Sequence, residues 1–178
     1  MHNLSQIFQV SKRESGFAVL GPHRLKEFSI IGTASEGKLA VFDTNTAPVS
    51  GTYGQSGTTV TVADTGHGLS TGDVVGIDFS TGTGGTACSG NYSITVTTAD
   101  AFTVTMLNSD TITGSPACVY VANDGSNQKK PKRWLMSKSV AANDAFANVF
   151  SVPNSGFITT LGVYFVMTNL LEADMFYE

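Results

Sequence analysis

Three histidines, fourteen carboxylates and two cysteines are the side chains of this 178-residue chain best suited to chemistry, and their spacing decides what they could do. Nucleophilic catalysis needs a Ser or Cys beside a His that an acid orients. His2 lies near the start, His23 follows the Gly21-Pro22 break, and His67 sits inside Gly66-His67-Gly68-Leu69. None has a partner at ligand or triad spacing, so His67 is expected to be a turn residue whose ring hydrogen-bonds locally. Asp73 and Asp78 are five positions apart on a predicted strand and so face opposite sides, which excludes a glycosidase pair. The other Asp residues are scattered rather than set in a one-three-five calcium loop. Gly82 to Gly85 lacks the following Lys-Ser/Thr and helix of a phosphate loop. Cys88 and Cys118 are too few for a disulfide scaffold and too far apart for a CxxC site. Two partly buried thiols are the favoured reading in a reducing cytoplasm, with a single bridge left open. No catalytic residue, cofactor or metal is therefore expected.

The sharpest local charge feature is Gln128-Lys129-Lys130-Pro131-Lys132-Arg133-Trp134. Lys and Arg can neutralise phosphates and Trp can stack on a base. The chain as a whole carries a net charge of −4, however, and only one aromatic accompanies the run. A solvated linker or an ionic contact to an acidic neighbouring subunit is preferred, and no nucleic-acid partner is expected.

Such residues must be positioned by strands. Nineteen Gly against five Pro, with Thr and Ser at the polar positions, point to short strands and many turns. The expected class is all-β. Charged residues make up 13% of the chain, against about 25% in an ordinary soluble domain, which hints at surface covered by partners. No apolar run reaches the roughly 18 residues of a membrane helix, and Met1 to Ser15 lacks the basic-then-apolar order of a signal peptide. The expectation is a product that stays where it is made, with no membrane partner.

Charge also divides the chain. Between Gly54 and Ser126 there is no Lys or Arg, while Asp64, Asp73, Asp78, Asp100, Asp110 and Asp124 occur; the flanks hold ten basic and eight acidic side chains. This break predicts an inserted, barrel-like domain at 54–126 within a discontinuous antiparallel β-sandwich, jelly-roll-like, made of 1–53 and 127–178. Asp43 to Gly57 is read as the linker between them.

Within the insertion, Tyr92 to Thr97 and Phe102 to Leu107 alternate almost perfectly and predict a hairpin. Tyr92, Ile94, Val96, Phe102, Val104 and Met106 would share its buried face. Val75, Ile77 and Phe79 fall on one face of a further strand, and Ala117 to Val121 reads as the last. The run Ser80 to Gly85, with Thr81, Gly82, Thr83, Gly84 and Gly85, is too glycine-rich to order itself and is expected to be an exposed contact tip or a loop that orders on a partner. In the flanks, Leu4 to Val10 and Gly16 to Leu20 suggest a hairpin, with strands following at Leu25 to Ile31, Lys38 to Phe42 and Ala173 to Tyr177. Phe157 to Met167 reads as one strong strand with apolar groups on both faces, as in a strand central to a sandwich or covered by another subunit. The flanks are therefore expected to dock and the insertion to project. The expected interface comprises Phe157, Leu161, Val163, Tyr164, Phe165, Phe176 and Tyr177, with Lys129, Lys130, Lys132, Arg133 and Trp134.

The run Thr59 to Phe79 (TVTVADTGHGLSTGDVVGIDF), followed by Gly90 to Ile94 and Ala101 to Thr105, resembles a small β-rich module of tailed-phage virion proteins. That module is classed by fold with the first catalytic-cysteine half-domain of ubiquitin-activating enzymes, a name that implies no chemistry here. The module resemblance covers about two fifths of the chain. The flanks, through Arg24 to Thr33, Pro153 to Gly156 and Met175-Phe176-Tyr177, more loosely resemble short virion proteins of marine podoviruses. The resemblance implies a non-enzymatic protein of the virion that decorates or cements the capsid, partnered by the major capsid protein and by further copies of itself. The alternative is a knob, fibre or tail module that meets a host-surface glycan through Tyr92, Tyr120 or the Gly-rich tip.

Overall fold

The computed structural model describes residues 8–123, 132–144, 148–151 and 157–178, and every helix or strand among them is a β-strand. The expected turn at Pro153 to Gly156 lies outside the described residues. The described residues of Met1–Ala47 and Leu135–Glu178 form one compact unit, and those of Pro48–Trp134 form another.

In the flanking unit, strands numbered in chain order are β1 (Phe8–Lys12), β2 (Gly16–Leu20), β3 (Arg24–Gly32) and β4 (Gly37–Asp43). After the insertion come β11 (Arg133–Val140), which starts in the other unit, β12 (Asn148–Ser151), β13 (Phe157–Ile158), β14 (Gly162–Thr168) and β15 (Leu170–Tyr177). One sheet runs β1-β15-β3-β12 with β13 also on β3, and the other runs β11-β4-β14-β2. Alternation, reset by an irregularity between Leu25 and Glu27, aims Leu25, Phe28, Ile30 and Met175 of the first sheet at Leu39, Val41, Val163 and Phe165 of the second, and all eight are fully buried. Each such side chain contributes about 1.5–3 kcal/mol of burial. This is a β-sandwich. Its β1 and β2 are not the expected hairpin, because β1 pairs with β15 and β2 with β14. Strand periodicity shows a face but not a neighbour.

The expected single strand over Phe157 to Met167 is two strands in different sheets. β13 pairs with β3, the chain turns at Thr159 to Leu161, and β14 then pairs with β4 and β2. The buried Asp43 carboxylate makes that switch: it accepts the N–H groups of Thr160 (3.0 Å), Leu161 (2.9 Å) and Gly162 (3.3 Å), and the Thr160 hydroxyl (3.2 Å). Three backbone donors are satisfied where a ladder partner would otherwise have been needed. The strand buried on both faces is instead β4, where Leu39, Ala40, Val41 and Phe42 are all at most 1% exposed.

The inserted unit holds β5 (Val49–Ala63), β6 (Val74–Phe79), β7 (Gly90–Ser93), β8 (Thr95–Thr98), β9 (Ala101–Ile112) and β10 (Ala117–Asn123), in the order β7-β6-β10-β5-β9-β8. The two edge strands, β7 and β8, are consecutive in the chain with only Ile94 between them. The sheet therefore curls until both edges belong to one kinked strand, a small closed barrel. The kink is fixed by Ile94 itself, whose N–H donates to Asp73 O and whose carbonyl accepts from Gly72 N–H. The expected hairpin is thus real only from Thr95 onward, since the preceding residues pair with β6. Its buried face is as expected: Ile94, Phe102, Val104 and Met106 lie in the core, with Tyr92 and Val96 packed against it.

A straight 15-residue strand would span about 50 Å. β5 cannot be straight, because a Cβ added to Gly51 would lie 2.9 Å from Ala63 O. It bends past Gly51, Gly54 and Gly57 to pair first with β10 and then with β9. Most of the expected linker, from Val49 onward, is this strand, so the inserted unit starts at Pro48 and ends at Trp134 rather than at 54 and 126.

Candidate functional site

The bend of β5 creates a cleft of about 490 Å³ where its two ends meet, lined by Ser50, Gly51, Thr52, Ala63, Asp64, Thr65 and Asp100. Asp64 is set there by Tyr120, whose hydroxyl donates to its Oδ2 at 2.6 Å. The Tyr120 ring is buried and meets Phe102 edge-on at 5.4 Å. Burial, then the Asp64 carboxylate beside it, pushes the phenol above its ordinary range. Asp100 is fixed by accepting Gly66 N–H at its Oδ1 (2.8 Å), while its carbonyl accepts Asp64 N–H (3.0 Å). The lining supplies carboxylates and hydroxyls, groups that can accept hydrogen bonds from a ligand's hydroxyls. Sequence reasoning missed it because Ser50 and Asp64 are neighbours only through the curl of β5.

The motif residues of the barrel are occupied in its turns. His67 accepts Leu69 N–H at Nδ1 (3.0 Å), which leaves the proton on Nε2 to donate to Thr98 O (3.2 Å), so the ring works locally as expected. Asp73 Oδ2 accepts Ser70 N–H, and buried Asp78 accepts the Ser89 hydroxyl. Tyr53, raised above its usual range chiefly by burial, donates to Ser80 O. Cys88 and Cys118 are free thiols, the first exposed and the second buried, and burial pushes Cys118 up to about 12. No disulfide joins them.

The Gly-rich tip is exposed at Thr81, Thr83 and Gly84, as expected, but it makes ordered contacts within its own chain. Gly82 and Gly85 bridge each other, Thr83 exchanges hydrogen bonds with Thr113, and Thr86 Oγ1 meets Thr81 Oγ1 at 2.8 Å. Gly84 is required: at φ 102° an added Cβ would lie 2.1 Å from Thr111 O. Tyr120 cannot offer its face to a glycan, because it is buried, and Tyr92 is half-buried with its hydroxyl on Cys88 O.

Of the expected interface, Val163 and Phe165 are fully committed to the sandwich core and are not available to a partner. Phe157 and Tyr177 are half-buried against that core, and Tyr177 stacks on Phe8. Tyr164 packs edge-on against Phe17, while Leu161 and Phe176 are half-exposed. Lys129 and Lys130 lie outside the described residues. Lys132 and Arg133 are half-buried, and Trp134 is anchored on the barrel: its N–H donates to Asn91 Oδ1 and its carbonyl accepts Asn91 Nδ2, both at 2.9 Å. A Cβ on Gly76 would lie 2.1 Å from Trp134 N, so glycine there permits this crossing. Among the described residues no three His, Cys, Asp or Glu side chains group to hold a metal, and no helix is long and apolar enough to cross a membrane.

No family model, no curated protein and no solved structure matches this chain.

Proposed function

We propose that this chain is a structural virion protein of a tailed bacteriophage, decorating or cementing the capsid by binding the major capsid protein. The virion assignment rests on the resemblance of Thr59 to Phe79 to phage β-modules. The observation that favours a scaffold over an enzyme is how the barrel uses its polar residues: His67, Asp73, Asp78, Tyr53 and Tyr120 all close turns or brace strands. Groups so engaged hold shape, and shape is what an assembling surface supplies. The flanking sandwich is the docking part in this reading, through Leu161, Tyr164 and Phe176. Quantitative mass spectrometry of purified particles tests it. Peptides of this chain should scale with those of the major capsid protein, and their absence from particles would sink the proposal.

A second reading is favoured by the Asp64–Asp100 cleft: a tail or fibre module that takes a neutral host-surface glycan, whose hydroxyls the two carboxylates would accept. A glycan array silent at high protein concentration counts against it.

A further inference from the structure

The two carboxylates of the β5 cleft are each half engaged. Asp64 Oδ2 accepts the Tyr120 hydroxyl at 2.6 Å, and Asp100 Oδ1 accepts Gly66 N–H at 2.8 Å. Asp64 N–H donates to Asp100 O at 3.0 Å, so the two residues are also tied together through the backbone. Asp64 Oδ1 and Asp100 Oδ2 are left as acceptors, and neither side chain pairs with a cation among the described residues. From Gly54 to Ser126 the sequence contains no Lys or Arg that could supply one. The remaining polar side chains of the lining, Ser50, Thr52 and Thr65, carry hydroxyls, which both donate and accept. At about 490 Å³ the cleft falls in the size range of small-ligand pockets.

Tyr120 fixes one of the two acceptors from the barrel core. Its ring is buried and set edge-on to Phe102 at 5.4 Å, on a strand, β10, that pairs with both β5 and β6. Asp64 lies one residue beyond the end of β5, so a donor held by the core aims a side chain that the strand itself no longer carries. A charge-assisted bond from a rigid donor also removes rotamer freedom that Asp64 would otherwise lose on binding. The aromatic core of the barrel is thereby coupled to the geometry of the cleft.

We propose, resting on the glycan reading of this cleft, that its ligand is a neutral hexose unit that donates one hydroxyl to Asp64 Oδ1 and another to Asp100 Oδ2, with Tyr120 as the positioning residue for that recognition. A sugar acid is disfavoured because its carboxylate would meet two uncompensated negative charges, and a sugar with methylated hydroxyls has no proton to give them. Saturation-transfer NMR titrations of the full chain test this with methyl glucoside, methyl galactoside and methyl mannoside, each set beside its uronic acid and its permethylated form. At least one neutral hexoside should bind, its uronic acid and permethylated form should bind at least about tenfold more weakly, and Asp64→Ala and Asp100→Ala should each weaken it about tenfold. Tyr120→Phe keeps the ring and should weaken binding about threefold to tenfold in the wild-type background but not in an Asp64→Ala background, with thermal melts showing that each variant is folded. Equal loss in both backgrounds would make Tyr120 a structural residue and overturn the positioning role, and a uronic acid bound as tightly as its neutral parent would overturn the selectivity; either result leaves the glycan reading standing. Silence from all three neutral hexosides overturns the proposal, and silence across a full glycan array removes the glycan reading with it.

Discussion

Replacing Asp43 should damage the sandwich more than any other single polar change among its described residues. The carboxylate is fully buried and accepts three backbone N–H groups and a hydroxyl where the chain passes from β13 to β14. Asp43→Ala leaves those donors without their acceptor. At about 1–3 kcal/mol for each buried unsatisfied group, and with relaxation letting some reach water, the loss should be about 3–5 kcal/mol. A domain of ordinary stability holds only about 5–15 kcal/mol, so the flanking unit would become marginal. Asp43→Asn keeps one acceptor but turns an amide N–H toward donors, and about 2–3 kcal/mol should be lost. Urea unfolding followed by circular dichroism gives the totals, and hydrogen exchange shows where they act: Gly162–Thr168 should lose protection first. Ser35→Ala, at an exposed position, serves as the control and should stay within about 0.5 kcal/mol. Asp43→Ala within about 1 kcal/mol of wild type, at unchanged protection of that strand, would refute the reasoning.

Alkali should unfold the barrel through its buried acids. Cys118 is held at about 12 against an ordinary 9.0, and Tyr120 and Tyr53 are raised as well, so the folded form resists losing protons that the unfolded chain gives up. Their stabilisation is complete below about pH 9 and is lost as pH rises through 12, with Cys118 alone worth up to about 4 kcal/mol. Cys118→Val should move the alkaline midpoint upward, and an unmoved midpoint contradicts this. A thiol reagent should titrate one cysteine, Cys88, in the native protein and two in denaturant; two fast thiols in the native state would show that Cys118 is not sealed. Asn91→Ala removes both hydrogen bonds to the Trp134 backbone and should speed tryptic cleavage after Arg133 several-fold, whereas equal rates would mean that the anchor does not protect that bond.

Faces were legible in the sequence and partners were not. Period-two alternation assigned Val75, Ile77, Phe79, Phe102, Val104 and Met106 to the core correctly, because burial follows from side-chain direction along one strand. The breaks at Ile94 and at Thr159 to Leu161 were invisible, because distant groups cause them: the backbone of Gly72 and Asp73 in one case and Asp43 in the other. Nothing local marks Asp43 as an internal cap. The Gly-rich tip was read correctly as exposed but not as ordered, since Gly84, which suggests flexibility, is there to permit a close approach to Thr111. Any deletion of the inserted unit should follow its bounds at Pro48 and Trp134, since a cut at Gly54 would leave the first third of β5 behind.

The central proposal, a capsid-bound structural protein, is tested most directly by an image reconstruction of the particle. The expected result is repeated density on the outer shell that fits the two β units, with the sandwich against the major capsid protein. Density confined to the tail or its fibres, or a particle without this chain at all, would contradict it.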